Sequence, residues 1–428
     1  MASSKRAGRA FRRAHIVGAG LAGLATAVRL AASGEFEVQL HEAAGQAGGR
    51  CRSFRDELLG AVIDNGNHLL LSGNRSAMSY LAEIDASETL YAAAESAFPF
   101  VDLVSGASWT VRPNRGPLPW WIFDPARRVP GTSALDYLAA LRLAVAEPMA
   151  TVAQCLSSRT LLYRRFWEPL AVAALNTSAE EAAARLLWPV LVETFGRGEA
   201  ASRPCIAKTG LSASFVDPAL KRLAERGAEI GYNRRLRALE IADGRVAALD
   251  FAQARLAPAP GDVIVLALPP ARVAELLPGA RVPLESRAIV NAHFRLAAAP
   301  SFPEDLPFLG LIGGTAHWLF RRGFIVSVTV SAADALAELD NETIAARLWT
   351  DVVKALALDE AAMPAMRIVK EKRATFAQVP DALARRARAR TQLANLFLAG
   401  DWTDTGLPAT IEGAVRSGHL AAAAALQS

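Results

Sequence analysis

The sequence predicts an α/β fold: a Rossmann-like, dinucleotide-binding domain assembled from discontinuous pieces, with an α+β substrate domain inserted between them. Three observations lead there. "AHIVGAGLAGLATAVRLAASG", residues 14–34, sets G-x-G-x-x-G between an apolar strand and a helical pattern. A second strand, "FEVQLHE", ends on the acid Glu42. "NLFLAGDWTDTGLPATIEGAVRSGHLAAA", residues 395–423, repeats the order of short strand, loop and helix at the far end of the chain.

The first stretch has a competing interpretation. Five Arg and Lys among the first thirteen residues, then an apolar run and an Ala-Ala-Ser tail, look like an export signal. That interpretation explains none of the glycine spacing, and Arg29 would lie inside its apolar core. As a βαβ start every residue has a role. Gly18 allows the tight turn, Gly20 lets backbone approach a pyrophosphate, and Gly23 lets helix and strand pack closely. The first-turn N–H groups and the positive helix end hold phosphate. Glu42 stands where a ribose hydroxyl needs an acceptor, as in both NAD and FAD. The expected contact set is Gly18, Ala19, Gly20, Leu21, Gly23, Glu42 and Ala43, in a cytoplasmic protein.

Composition narrows the classes. The chain has 428 residues, enough for two domains, and a net charge of +5 with scattered Lys and Arg, unlike a nucleic-acid binder. The one dense cluster, "RRARAR" at 385–390, reads as a solvated helix face. Three widely spaced cysteines form no CxxC, which suits a reducing compartment. Six histidines include no HxxxH or HExxH pair, so no metal site is expected. No apolar run reaches the length of a membrane span.

Further pieces follow in order. "GQAGGRC", 45–51, offers adjacent glycines for a ligand pressed on backbone, and Arg50 as a bidentate phosphate donor. "VIDNGNHLLLSG", 62–73, is a strand end followed by Asp-Asn-Gly-Asn-His. "EIGYNRRLRALEIADGRVAALDF", 229–251, reads as a hairpin with a DG turn at 243–244. "GDVIVLALPPARVAELL", 261–277, reads as buried strand, Pro-Pro stop and helix, and "FIVSVTV", 324–330, as another strand. In the terminal stretch, Asp401 at a strand end can accept from sugar-like hydroxyls. The helix beginning near Thr410 turns its positive end toward a developing anion. The ligand-binding pieces lie at opposite ends of the chain, so the domain is discontinuous. It is expected to comprise 1–75, 205–282 and 391–428, with 76–204 and 283–390 forming the substrate domain. The first insert reads as mainly helical.

With "VGAGLAGL", "HEAAGQAGGR" and "LAGDWTDTGLPATIEGAVRSG" in this order, the chain resembles the amine oxidase and phytoene desaturase superfamily of FAD enzymes over nearly its whole length. "DNGNH", "KEKRATFAQVP" (370–380) and "GDWTDTGLPATIEGA" look most like its hydroxysqualene dehydroxylase branch. The resemblance implies the amine oxidase-type fold and an FAD held with its pyrophosphate at Gly18, Gly20 and Gly23 and its adenosine ribose at Glu42. It implies Gly49 and Arg50 along the phosphates, Leu236 at the adenine, and Gly66, Asn67 and His68 against the flavin ring. Gly400 and Asp401 would bind the ribityl-phosphate region, and Thr410 and Ile411 the pyrimidine edge. Asn67 departs from the branch's commoner Gln, though both amides make the same hydrogen bonds. No cysteine follows Cys205, so the FAD is expected to be non-covalent.

The implied reaction removes an allylic hydroxyl from an apolar C30 isoprenoid. Hydroxide leaves poorly unless it is protonated, so a proton donor is needed. His68 is the first candidate, beside the expected flavin; its alternative role is a hydrogen bond without proton transfer. Asp64, Lys372 and Arg373 follow. Competing functions are a carotenoid-type desaturase, with electrons flowing the other way, and a non-catalytic FAD or lipid carrier. Only one dinucleotide fingerprint occurs, which implies an external reductant or NAD(P)H visiting transiently. Trp120 and Trp121 in "GPLPWWIFDPARRVPG", 116–131, read either as core residues or as an edge making transient membrane-surface contact.

Overall fold

The computed structural model describes residues 12–358 and 362–428. Five parallel strands form one sheet, in the order Glu229–Gly231, Phe36–His41, Arg12–Val17, Val263–Leu266 and Leu396–Leu398. Val17 aligns with His41 on one side and Leu266 on the other, and Leu266 aligns with Leu398. Strand ends from remote parts of the chain therefore share one edge, the side on which open parallel sheets bind ligands. Val263–Leu266 is buried throughout, which is why it reads as an unbroken apolar run.

The helix Leu21–Ser33 follows the glycine-rich turn and stops at Gly34, whose φ of 70° is left-handed. The C-terminal helix Ile411–Leu426 packs directly on it. Gly418 permits this: a Cβ there would stand 2.4 Å from the Ala22 carbonyl oxygen. Thr26 Oγ1 donates to the carbonyls of Ala22 and Gly418 at 2.8 and 3.1 Å, tying the helices together.

A second sheet holds seven strands, ordered Met366–Phe376, Ser286–Arg295, Ile325–Val330, Trp318–Arg322, Phe308–Ile312, Phe98–Asp102 and Ser108–Val111. Its pairs are antiparallel except Phe308–Ile312 with Phe98–Asp102. The first insert thus adds strands to this sheet as well as helices. A buried cluster joins Phe98, Phe100, Phe308 and Trp318 of the sheet to Tyr163, Phe166 and Leu187 of the helical layer. The hairpin forms as expected from its turn, Leu236–Ala242 against Arg245–Phe251, with Asp243 and Gly244 at φ of 50° and 70°. No helix among the described residues is long and apolar enough to cross a membrane.

The basic run at 385–390 is not a helix face. It is irregular chain beyond the short helix Pro380–Leu383. Arg386 is buried and donates to the carbonyls of Asp401, Trp402 and Thr403. Those carbonyls belong to a loop with no ladder of its own, and a guanidinium can satisfy several at once.

All six histidines have depressed proton affinity. Burial is the first cause in each case, and it holds His41, His68, His293, His317 and His419 at about 4. A neutral buried imidazole must desolvate further to charge, whereas the unfolded chain protonates near 6.5. The folded values lie below the unfolded ones, so this stability is full above pH 6.5 and is lost as pH falls toward 4. Each such histidine adds a slope of about 1.4 kcal/mol per pH unit in that window. Melting temperature should hold level from pH 8 to 7 and drop steeply from 6 to 4.5. A flat profile through that window would show the histidines to be hydrated.

Candidate active site

The glycine-rich turn is built by contact. Gly18 has φ of +104°, and a Cβ on it would meet the Ala267 carbonyl oxygen at 2.3 Å. A Cβ on Gly23 would lie 1.9 Å from the Gly18 carbonyl oxygen, so the helix rests on the turn itself. Gly20 differs, because nothing lies within 4 Å of where its Cβ would be. Its surface is free for a ligand. Leu21 is buried at the helix start, and Ala19 anchors the second loop: Gly48 N donates to its carbonyl at 2.8 Å. A Cβ on Gly49 would stand 3.3 Å from Gly20 Cα, so the two glycine loops lie face to face.

Glu42 ends its strand half-buried. Oε2 accepts from Ala19 N and Oε1 from Ala44 N, each at 2.8 Å, while Ala43 between them is exposed. The carboxylate therefore also orders both loops. Leu236 is buried, and its carbonyl accepts from Arg272 Nη2 at 2.6 Å.

The C-terminal piece meets these loops through Arg50. Its Nη2 donates to Asp401 Oδ1 at 2.9 Å and its Nη1 to the Ala374 carbonyl. The Asp401 carboxylate raises the guanidinium's proton affinity further. Gly400 N donates to Ser417 Oγ at 2.8 Å. A Cβ on Gly400, at φ +150°, would strike the Trp402 indole at 2.5 Å. Trp402 itself is buried, and its Nε1 donates to the Leu268 carbonyl. Thr410 caps the last helix, its Oγ1 accepting from Gly413 N at 3.1 Å, and Ile411 is buried at the first helical position. That end carries the helix's partial positive charge.

Residues 64–68 cross from this cleft to the seven-stranded sheet. Asn67 Nδ2 donates to Thr329 Oγ1 at 3.0 Å and to Asn291 Oδ1 at 3.4 Å. Asn291 Nδ2 in turn donates to the Asn65 carbonyl. Gly66, Asn67 and His68 are half-buried. The His68 ring makes no side-chain hydrogen bond among the described residues, and desolvation outweighs the nearby Asp64 charge in setting its low proton affinity. Beside it is a cavity of about 20 Å³, lined by Asp64, Asn67, Ile206, Phe320, Arg322 and Ser327. Ser327 Oγ bonds His293 Nδ1 at 2.7 Å, and His293 is buried.

The candidate proton donors separate. Asp64 is buried with its oxygens occupied: Oδ2 accepts from Arg322 at 2.6 Å, and Oδ1 accepts from Ser53 Oγ and Leu211 N. A carboxylate holding those three donors anchors Arg322, Ser53 and Leu211. Lys372 is exposed and donates to Glu338 at 2.8 Å; Arg373 is exposed on the same strand. Neither lines the cavity at His68. Sequence reasoning missed Arg322, Asn291, Thr329 and Glu412, whose carboxylate accepts from Ser76 N and Ala77 N. The only local signal was polar Asn291 and His293 at alternate positions of an apolar strand.

The family model for flavin containing amine oxidoreductases matches residues 21–426. The chain belongs to that family. Its members use a flavin, and this chain is a flavin-dependent oxidoreductase. The chain is 46% identical over 409 residues, covering 95% of itself and 97% of the relative, to the hydroxysqualene dehydroxylase of Rhodopseudomonas palustris. It is 43% identical to that of Zymomonas mobilis, covering 96% of this chain and 98% of the relative. Among solved structures, a putative protoporphyrinogen oxidase from Exiguobacterium superposes with a TM-score of 0.70 at 17% identity, covering 98% of this chain and 100% of that one. Cyclohexylamine oxidase from Brevibacterium oxydans also gives 0.70 at 17%, covering 98% and 99%. These two likenesses establish the fold of the flavin enzyme.

Gly20 and Gly23 provide a controlled pair. Gly20→Ala places a methyl in open space at the helix N-cap, so flavin-free stability should fall by only about 1 kcal/mol, while flavin content of the purified protein falls sharply. Gly23→Ala drives a methyl into the turn and should lower stability itself. Equal melting temperatures for the two apoproteins would contradict this geometry.

Proposed function

We propose that this flavoenzyme reduces hydroxysqualene to squalene, holding non-covalent FAD between the two ends of its chain. Near full-length identity to proteins of that name carries the proposal. The residues present fit the cofactor. Gly20 leaves an uncovered backbone beside the Gly49 loop, with an acceptor in Glu42 and a positive helix end at Thr410. Gly18, Ala19, Gly20, Leu21 and Gly23 would hold the pyrophosphate, with Glu42 and Ala43 at the adenosine ribose and Leu236 at the adenine. Gly49 and Arg50 would follow the phosphates, Gly400 and Asp401 the ribityl chain, Thr410 and Ile411 the pyrimidine edge, and Gly66, Asn67 and His68 the ring. Cys51 is buried beside Arg50, and burial pushes its thiol up, so it stays protonated and offers no tether. The cofactor unit is 1–75, 205–282 and 391–428, and the substrate unit 76–204 and 283–390; residues 1–11 lie outside the described chain.

The net reaction takes a hydride and a proton and releases water. When bound in its reduced form, the flavin supplies the hydride to the allylic carbon left by the departing hydroxyl. The protein's part is to orient that carbon, keep water away and place a proton at the leaving oxygen. His68 is the group at hand for the proton. Its affinity near 4 makes the imidazolium a strong acid that is scarce at neutral pH. Asp64, fixed by Arg322, sits close enough for its charge to raise His68, opposing desolvation. Ile206, Leu211 and Phe320 supply the apolar part of the same small space. The electrons come from an external reductant or a transient NAD(P)H visit, and the enzyme works on the cytoplasmic face of a membrane, whose lipid holds the substrate.

The test is anaerobic. Photoreduced enzyme mixed with hydroxysqualene should reoxidise its flavin and form squalene, identified by mass; flavin that stays reduced overturns the proposal. His68→Ala should slow that reoxidation by about 100-fold with flavin content unchanged. The wild-type rate should rise as pH falls from 8 to 6, because protonated His68 becomes more abundant. His68→Gln reoxidising at the wild-type rate would make His68 a positioning residue.

A further inference from the structure

The segment 116–149 departs from the usual surface rule. Trp120, Phe123, Leu135, Leu138, Leu141 and Val145 are 49–81% exposed. They lie on the short helical elements Trp120–Phe123, Ala134–Tyr137 and Leu138–Val145. The same elements turn Trp121, Tyr137 and Leu143 inward, to 6%, 6% and 1% exposure. Trp121 and Tyr137 meet edge-on at 5.0 Å, fixing the first two elements to each other from behind. The tryptophan pair therefore splits: Trp121 is core and Trp120 is not. A helix with one face in the core ordinarily presents polar groups on the other, and here it presents leucine, valine and aromatics.

Charge surrounds this face. Arg142 and Arg185 are exposed with no carboxylate within ion-pair distance among the described residues. Arg185 donates from Nε to the Ala146 carbonyl, while half-buried Arg128 turns back onto the Ile122 carbonyl at 2.8 Å. Nearby acids are mostly engaged. Asp124 pairs with Arg127 at 3.5 Å, and the Asp136 carboxylate accepts from Ser133 N and Oγ. Arg185 lines an open cleft of about 390 Å³ with Val145, Trp188 and the remaining acid, Glu147.

We propose that this face docks on a lipid bilayer bearing anionic headgroups. Trp120, Phe123 and the leucines enter the headgroup–acyl boundary, and the flanking arginines meet lipid phosphate. A second copy of the chain is the weaker match, because a two-fold interface sets the same cations against each other. The proposal deepens the function above, since a bilayer is where an uncharged isoprenoid alcohol dissolves.

The holoenzyme is co-sedimented with phosphatidylcholine vesicles, with and without phosphatidylglycerol. Binding should be strong only with the anionic lipid and should weaken with salt. The triple variant Trp120→Ser, Leu141→Ser, Val145→Ser should lose binding, and Arg142→Glu should weaken it by about tenfold or more. Both should keep wild-type flavin content and turnover of detergent-dispersed hydroxysqualene. If the triple variant misfolds, the Arg142→Glu result decides. Absence of vesicle binding, unchanged binding by the variants, or a dimer that the variants dissolve overturns the proposal. Failure of detergent-phase turnover with normal vesicle binding would instead count against the assigned reaction and leave the docking face standing.

Discussion

The Arg50–Asp401 pair closes the molecule on itself. Its partners are 351 residues apart, yet their guanidinium and carboxylate meet at 2.9 Å. Asp401 is buried, and Arg50 also reaches the Ala374 carbonyl at the end of the seven-stranded sheet. One side chain therefore touches the glycine loops, the terminal motif and the substrate-side sheet. A buried carboxylate without that partner would carry an uncompensated charge, which is costly even after relaxation. The charge pair ties three segments remote in sequence to one another.

Around that pair the site is made of absences of side chain. Gly23 sits on Gly18, Gly49 faces Gly20, and Gly413 lies where a Cβ would stand 2.4 Å from the Pro408 carbonyl oxygen. These contacts bring backbone N–H groups and a helix end to one cleft without interposing carbon. Gly20 alone among them faces empty space, so the packing demand ends where the ligand demand begins. The carboxylate of Glu42 bridges both requirements, because the oxygens that suit ribose hydroxyls also order the loops of Ala19 and Ala44.

Features with short-range causes were legible from residues alone. The strand–turn–helix at Gly18, the Asp243–Gly244 hairpin and the Thr410 cap each depend on neighbours within a few positions. What escaped was long-range. Arg386 lies in a run whose composition suggests solvent, yet its partners are carbonyls of residues 401–403 that only the fold brings near. Asp64 looked like an available acid because nothing near it in sequence reveals Arg322, 258 positions away. Lys372 was a further candidate donor from its place in the "KEKR" stretch, and its side chain pairs with exposed Glu338. Charged residues have long reach and many suitors, so their partners are the least predictable part of a site.

The electrostatics around His68 follow from what the site excludes. Six histidines stay neutral because burial wins over every nearby carboxylate, including Asp64 beside His68. The Asp64–Arg322 pair lines the same small cavity as the neutral His68 imidazole, together with Ile206, Leu211 and Phe320. Paired charges largely cancel at a distance. Away from bulk water a departing hydroxide would be poorly solvated, so bond breaking would be coupled to proton arrival. On the proposed reading His68, which gives up its proton readily, would supply that proton, with the Asp64 charge opposing desolvation to favour its charged form.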